Sequence, residues 1–369
     1  MKSSILFRSA LLCAALCLTA AAGTIFLPAY PANVLVIDES TQKILENVPT
    51  EIGLPTGAYL SYDRKKIYLT TQDHNGIAVL DIATRKIINH FELNSGNRQL
   101  RFRRIAPDPE DKVVYTVVTE ADKLPDRFEI GKPKYAVIDL AQHKIIRTVD
   151  MEPDDRGPNQ GFGRGGMMVS PDGKYLYQFR NEVVVMNTSD FKVIDRINLA
   201  KPDFSGMTDI NLGRYLENYQ QSGYYTSLFY SEDPIVHRRI FGIARFNLNM
   251  RRFTFSPIGP TVSGMDEPEE GGFMISPDGK HGYTPVITGQ HGTKMCEFWA
   301  FDLANNRRTL AEPWDCLTHF NTDLSSDGKE IYVSGSGFQI AIYDAATLKL
   351  KSITDLHNDT TMAGMIVVR

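Results

Sequence analysis

Residue types that carry out chemistry in other proteins are few and scattered in this sequence. His281, His291 and His319 have no cysteine or carboxylate at a spacing that would complete a zinc site. The stretch from Gly161 to Gly166 matches G-x-G-x-x-G, but it precedes an apolar strand instead of joining a strand to a helix, as dinucleotide binding requires. No G-x-S-x-G motif and no C-x-x-C-H haem motif is present. The sequence therefore predicts no catalytic, cofactor-binding or metal site on this chain.

Two cysteines are the strongest chemical signal. Cys296 and Cys316 lie at similar distances before and after the polar pair Asn305-Asn306, which is predicted to form the turn of a hairpin. The hairpin would place the two side chains nearly opposite each other, so a disulfide is geometrically reasonable. Two separate buried thiols are the alternative.

The N-terminus has the pattern of a secretory signal peptide. Lys2 and Arg8 precede a short apolar run from Ala10 to Leu18, and the small residues Ala20-Ala21-Ala22 follow it. The run is short for a membrane span, which makes a permanent anchor the weaker interpretation. We therefore expect residues 1–22 to be removed, and residues 23–369 to form one periplasmic domain without membrane insertion. The net charge of −4 gives no basic excess for binding nucleic acid.

A short phrase recurs along the chain: serine, then Pro-Asp-Gly-Lys or a variant, then tyrosine a few residues later. Proline presets φ, aspartate bonds its own backbone and glycine permits a positive φ, so the phrase predicts a tight turn between two strands. The copies begin at Ser61, Ser170, Ser276 and Ser325, with a looser copy at Ala106.

An alternating apolar run that ends in Asp or Asn follows each copy and leads through a second turn into another strand. Together the phrases predict four antiparallel strands, A to D, in each repeat of about 50 residues, which is the pattern of a β-propeller blade. Thr24–Leu27 has no strand A before it, and the lone strand 364–368 is predicted to pair with it and close the ring. The predicted fold class is all-β, a seven-bladed β-propeller. Its C strands begin at Val34, Ile77, Tyr135, Val183, Ile243, Phe298 and Ile340.

The connections of such a blade fall on two faces of the ring. The A–B and C–D turns form one face, here called the turn face. The B–C and D–A connections form the other, here called the insertion face, because it carries all the long irregular connections: 119–134, 151–166, 200–222, 230–239, 258–272 and 284–295. Long connections on a rigid scaffold are where binding residues concentrate, so we expect partners on the insertion face.

Two groups of residues are the candidates for that interface. One is aromatic and the other basic, with blade packing and a solvated rim as their respective alternatives. They are Tyr215, Tyr219, Tyr224, Tyr225, Phe229 and Tyr230, and Arg101, Arg103 and Arg104 beside Arg98.

Three stretches resemble the β subunit of quinohemoprotein amine dehydrogenase, within the wider group of exported YVTN-type propellers. Residues 24–33 with 36–38 resemble its start, and 343–348 with 358–368 resemble its end. The middle stretch is more specific, since ordinary blades lack it: it comprises 217–223, Phe229-Tyr230 and the charged loop to Arg239.

The resemblance implies a heterotrimer that oxidises primary amines to aldehydes in the periplasm. It implies that an α subunit carries haem c, that a small γ subunit carries cysteine tryptophylquinone and the catalytic base, and that the propeller supports γ and helps to wall the substrate pocket. The family keeps its chemistry on the other chains, so no catalytic residue is transferred here. Two alternatives stay open: a free-standing periplasmic binding propeller, and the heavy chain of a related tryptophan tryptophylquinone amine dehydrogenase.

Overall fold

The computed structural model describes ten segments of the chain, in which every regular element is a β-strand. The segments are 23–152, 166–179, 182–200, 204–213, 223–263, 272–288, 295–315, 320–335, 337–360 and 364–368. Residues 1–22, the expected signal peptide, lie outside them. No helix long and apolar enough to cross a membrane occurs in these segments.

The strands form seven blades of four antiparallel strands each, arranged in a ring, which confirms the predicted β-propeller. Blade 1 contains β1 (Thr24–Ala29), β2 (Asn33–Asp38), β3 (Ile44–Pro49) and the C-terminal β29 (Ile366–Val368). Blade 2 contains β4 (Pro55–Leu60), β5 (Lys66–Thr71), β6 (Gly76–Asp81) and β7 (Lys86–Glu92). Blade 3 contains β8 (Arg98–Pro107), β9 (Val113–Lys123), β11 (Lys134–Asp139) and β12 (Lys144–Asp150), with the short β10 (Phe128–Ile130) added to β9.

The other four blades follow in chain order. Blade 4 contains β13 (Met167–Val169), β14 (Tyr175–Phe179), β15 (Glu182–Asn187) and β16 (Val193–Asn198), and blade 5 contains β17 (Asn211–Leu212), β18 (Tyr224–Glu232), β19 (Arg238–Asn247) and β20 (Arg252–Ser263). Blade 6 contains β21 (Met274–Ile275), β22 (His281–Thr288), β23 (Met295–Asp302) and β24 (Arg307–Trp314), and blade 7 contains β25 (Phe320–Leu324), β26 (Glu330–Gly335), β27 (Gln339–Asp344) and β28 (Leu350–Asp355). The seven predicted C strands are β2, β6, β11, β15, β19, β23 and β27.

The two ends of the chain close the ring within blade 1. Strand β29 pairs antiparallel with β1, with Thr24 opposite Val368 and Phe26 opposite Ile366. The C-terminal strand thus supplies the missing innermost strand A, as predicted, and no open sheet edge is left at this position.

The repeated serine phrase forms the A–B turns as its residue types require. The Ser170 hydroxyl donates to Asp172, and the backbone N–H of Tyr175 donates back to the Ser170 oxygen. The glycine between them, Gly173, has a φ of 72°, a conformation that a β-carbon disfavours. Each C–D turn likewise contains one residue with positive φ, such as Asn306 at 48°, so both turns of the repeat are determined locally.

The core lies between neighbouring blades. Strands B and C are buried along most of their length because both of their faces are covered by the adjacent blades, as in β5 and β6. The outermost D strands are the most exposed, and several of them, such as β12 and β24, alternate between exposed and partly buried residues. Apolar runs in B and C and alternation in D are therefore consequences of position in the blade.

In three blades the hydroxyl of the repeated tyrosine donates a hydrogen bond to the next blade. The hydroxyl of Tyr68 in blade 2 donates to Asp111 in the A–B turn of blade 3 at 2.8 Å. The Tyr177 hydroxyl donates to the Leu248 carbonyl of blade 5, and that of Tyr332 to Glu39 of blade 1 at 3.1 Å. These three rings are buried in the hydrophobic core, while each of their hydroxyls donates to a polar partner across the blade boundary.

Candidate partner interface

The B–C connections of blades 3 and 5 are raised above the ring as regular hairpins. The sequence suggested irregular loops at 119–134 and 230–239, but here the paired strands continue outward instead. In blade 3, β9 extends beside β8 as far as Asp122 opposite Arg98, and the B–C connection folds back on β9 as β10, with Phe128 opposite Lys123. In blade 5, β18 and β19 pair as far as Glu232 opposite Arg239. Two rigid hairpins therefore project from the insertion face, because continued pairing satisfies the backbone groups that a loop would leave to solvent.

The tip of the blade 3 hairpin presents apolar side chains between charged ones. Strand β10 adds Phe128 and Ile130 alongside β9, and these side chains are 57% and 72% exposed. Beside them Arg98 donates two hydrogen bonds to Asp122, at 2.8 Å and 2.9 Å. The nearby charges are thus partly compensated within the hairpin, while the two apolar side chains remain in water.

The tip of the blade 5 hairpin has the same character. Asp233 accepts hydrogen bonds from the backbone N–H groups of Ile235 and Val236, at 2.8 Å and 3.1 Å. These bonds hold the turn and lower the pKa of Asp233. The two residues they fix expose 84% (Ile235) and 61% (Val236) of their surface, so the turn holds apolar side chains outward in a defined position.

The charged groups below this tip neutralise one another. Glu232 bonds to His237 at 2.9 Å and to Arg239 at 3.0 Å, and these bonds lower the pKa of Glu232. The Arg239 guanidinium also lies 4.3 Å from the centre of the Tyr230 ring, a favourable cation–π distance. The hairpin is therefore stiffened by polar contacts and leaves its apolar tip as the group available to another molecule.

Of the large exposed apolar side chains in the described segments, seven lie along the outer D strands and two, Tyr62 and Met250, lie on the turn face. The other seven lie on the insertion face, where Tyr30, Met295 and Phe338, at the B–C ends of blades 1, 6 and 7, join the four of the two hairpins. A single exposed apolar residue is ordinary, but their recurrence at the same end of five blades suits this face to burying surface against another protein.

The aromatic candidates divide between core and surface. Tyr225 and Phe229 are fully buried. Tyr225 stacks on Phe179 of blade 4 at 3.8 Å. These two candidates are corrected to blade packing, because buried rings cannot contact a partner. Tyr224 and Tyr230 are half-buried.

The remaining aromatic candidates, Tyr215 and Tyr219, lie outside the described residues. Sequence reasoning overlooked Phe128, Ile130, Ile235 and Val236, here called the apolar tips. The sequence contains a signal for them, because each pair of apolar residues lies within an otherwise charged or turn-forming stretch.

The basic candidates all lie on or beside the innermost strand of blade 3. Arg101 is exposed and Arg103 lies in β8. Arg104 is half-buried at a bulge where the β8–β9 register shifts, and its charge interacts with the Tyr225 hydroxyl of blade 5. Since strand A lines the central channel, Arg104 belongs to the channel wall and Arg101 to its rim.

The opposite mouth of the channel holds a second charged pair. Arg64 lies in the A–B turn of blade 2 and Asp323 on the innermost strand of blade 7. Although Arg64 is solvent-exposed, desolvation lowers its pKa, and the Asp323 carboxylate partly offsets this.

Of the two cysteines in the predicted disulfide, the structure describes Cys296. Cys296 is disulfide-bonded and buried, and it lies opposite Trp314 on the neighbouring strand. Cys316, two residues beyond Trp314, lies outside the described residues, so the pairing of Cys296 with Cys316 stays a prediction. No cluster of three or more potential metal ligands occurs in the described segments.

The chain matches no protein-family description and no curated protein sequence. Its fold is similar to that of a functionally unknown protein from Desulfotomaculum acetoxidans, with 12% identity, a TM-score of 0.54 and coverage of 94% of this chain and 99% of that one. It is similar to the periplasmic gluconolactonase PpgL of Pseudomonas aeruginosa, with 12% identity, a TM-score of 0.53 and coverage of 94% and 99%. The dihydro-haem d1 dehydrogenase NirN is also similar, with 13% identity, a TM-score of 0.51 and coverage of 94% and 75%. At these identities the similarity concerns the fold alone.

Proposed function

We propose that this chain is the non-catalytic β subunit of a periplasmic quinohemoprotein amine dehydrogenase. In this proposal, haem c is carried by an α subunit and cysteine tryptophylquinone by a γ subunit. The insertion face of the propeller holds γ and walls part of its substrate pocket. Primary amines are oxidised to aldehydes on the partner chains.

The observation that carries the proposal is the set of apolar tips on two rigid hairpins. Their exposure is unfavourable in an isolated chain, since each fully buried large apolar side chain contributes about 1.5–3 kcal/mol. A partner that covers them gains this energy without first ordering a loop, because the hairpins are already paired strands. The compensated charges below the tips favour an apolar contact with a polar rim.

The middle stretch of the resemblance supports the same face. It includes Phe229-Tyr230 and the charged loop to Arg239, which is the blade 5 hairpin. The segment by which the chain resembles the family is thus also the segment that raises Ile235 and Val236 above the ring.

The proposal is tested by changing the tips in the native host. Affinity-tagged chains carrying Ile235→Asp with Val236→Asp, or Phe128→Asp with Ile130→Asp, are purified, and the amount of co-eluting quinone-bearing γ subunit per propeller is measured by redox staining of the quinone. Placing charge in a buried apolar contact is expected to reduce co-eluting γ at least about tenfold, which corresponds to about 1.4 kcal/mol or more.

The matched control is Met250→Asp, which changes an equally exposed apolar residue on the turn face. It is expected to retain the γ subunit of the unaltered chain. Unchanged γ in both tip variants, with normal thermal stability, would reject the insertion face as the docking surface.

A further inference from the structure

Gly23, the residue before β1, is packed against a buried carboxylate. Its carbonyl accepts a hydrogen bond from the Glu39 N–H at 3.1 Å. A β-carbon built on Gly23 would lie 2.1 Å from Glu39 Oε2 and 2.7 Å from Ser326 Oγ. A side chain at this position would therefore displace Glu39 and Ser326 from their present positions.

The Glu39 carboxylate lies at the boundary between blade 1 and blade 7. It is 8% exposed. Oε1 accepts from the Ser326 N–H at 2.6 Å and from the Tyr332 hydroxyl at 3.1 Å, and Oε2 accepts from the Ser326 hydroxyl at 2.5 Å. A carboxylate offers about four acceptor positions, so one remains on Oε2, the oxygen that faces Gly23.

The buried Glu39 carboxylate requires a counter-charge. None of the ion pairs among the described residues includes Glu39, although burying a carboxylate without a cation is unfavourable. The bonds around a Cα are about 1.5 Å long, so the backbone nitrogen of Gly23 lies within about 5 Å of Glu39 Oε2. A positive charge on that nitrogen would be next to the carboxylate.

We propose that the exported chain is cleaved between Ala22 and Gly23, and that the new α-ammonium of Gly23 pairs with Glu39. A signal peptidase hydrolyses the peptide bond: water supplies OH to the Ala22 carbonyl carbon and a proton to the Gly23 nitrogen, which takes up a further proton at neutral pH. The ion pair then binds the start of β1 to blade 7. Processing thus completes the same blade in which β29 closes the ring.

The other titratable groups around Glu39 are two carboxylates, two lysines and Tyr332. Glu330 accepts from Tyr332 at 3.2 Å and pairs with Lys351, and Asp327 pairs with Lys329. These pairings raise the pKa of both lysines, and burial with the two carboxylates raises that of Tyr332. Between about pH 7 and pH 9 the α-amino group is therefore the one that titrates.

The sign of the pH effect follows from the pair. Glu39 raises the pKa of the α-amino group in the folded chain above its unfolded value of about 7.7–8.0. The stabilisation is therefore fully present below about pH 7.7 and is lost as pH rises through the folded pKa.

The test uses mature chains with defined first residues. The mass of the chain exported by a bacterial host is measured first and is expected to correspond to a start at Gly23. Chains that start at Gly23 and at Ala22 are then released from a cleavable fusion, each with and without Glu39→Gln. At about pH 6.5 the Gly23 form is expected to melt about 3 °C above the Ala22 form.

The comparison has clear outcomes. With Glu39→Gln, and separately at about pH 9.5, the difference is expected to shrink below about 1 °C. Export with a different first residue would overturn the proposed cleavage. Equal melting of the two forms at the lower pH, or a difference that persists at the higher pH, would overturn the ion pair even if Glu39→Gln fails to fold.

Discussion

Replacing Tyr68 by phenylalanine tests whether the repeated tyrosine binds neighbouring blades together. The Tyr68 hydroxyl donates to Asp111 Oδ1 at 2.8 Å, and Lys66 donates to Asp111 Oδ2, also at 2.8 Å. Tyr68 is fully buried, and burial together with the nearby carboxylate raises its pKa. Tyr68→Phe removes one oxygen and leaves the ring in place.

The expected loss follows from the charge of the acceptor. A hydrogen bond to a charged group contributes about 1.5–3 kcal/mol. Asp111 retains Lys66 as a partner and is not left unpaired, so the lower end of this range, about 1.5–2 kcal/mol, applies. For a chain of this length the entropy of unfolding makes that a fall in Tm of about 2–3 °C.

The assay is calorimetric unfolding of the mature chain, with Tyr283→Phe as the control. Tyr283 occupies the corresponding position of blade 6, and no hydrogen bond of its hydroxyl is found within the described residues, so its loss is expected to change Tm by less than about 1 °C. In an Asp111→Ala background, Tyr68→Phe should have little further effect. Equal effects of the two tyrosine changes, or full additivity with Asp111→Ala, would show that the hydroxyl does not join the blades.

Three further changes test other parts of the fold. Ile366→Ala removes a buried side chain from the ring-closing strand and should lower the free energy of unfolding by about 2–5 kcal/mol. Val368 is half-buried, so Val368→Ala should cause a smaller loss. Equal losses of the two variants in a denaturant titration would count against closure at this strand. Gly23→Ala places a β-carbon 2.1 Å from Glu39 Oε2 and should lower the free energy of unfolding by about 1–3 kcal/mol in the same titration. An unchanged denaturation midpoint would contradict the close packing of Gly23 against Glu39. Burial raises the pKa of Asp327, but hydrogen bonds from Lys329 and Ser325 outweigh it and lower the pKa to about 2. The stability that Asp327 contributes should therefore be present above about pH 4 and be lost as pH falls towards 2. Asp327→Asn should make the free energy of unfolding depend less on pH between these values. The same pH dependence in the variant and the unaltered chain would refute this.

The sequence predicted the fold closely because the information that specifies a blade is local. The turn following Ser170 is determined by Asp172 and Gly173 within a few residues. The apolar C strand that follows is recognisable for the same reason. The closure of the ring was predictable because the N-terminal blade lacks a strand A and the chain ends in a single unpaired strand.

Which side chains are exposed on the insertion face was predicted less well, because exposure depends on contacts between distant residues. The burial of Tyr225 results from stacking on Phe179 of another blade, which no local pattern shows. The extension of β18 and β19 into a raised hairpin depends on pairing across the turn, and Ile235 is exposed only because of it. The proximity of Gly23 to Glu39 likewise becomes evident only when blade 1 and blade 7 meet.

The proposed role of the ring as a docking platform is tested most directly by native mass spectrometry of the tagged chain purified from its own host. The expected result is a complex of one propeller, one haem-bearing chain and one small quinone-bearing chain, with amine oxidation by the complex and none by the propeller alone. A monomer without co-purifying chains, or amine turnover by the isolated propeller, would contradict the supporting role.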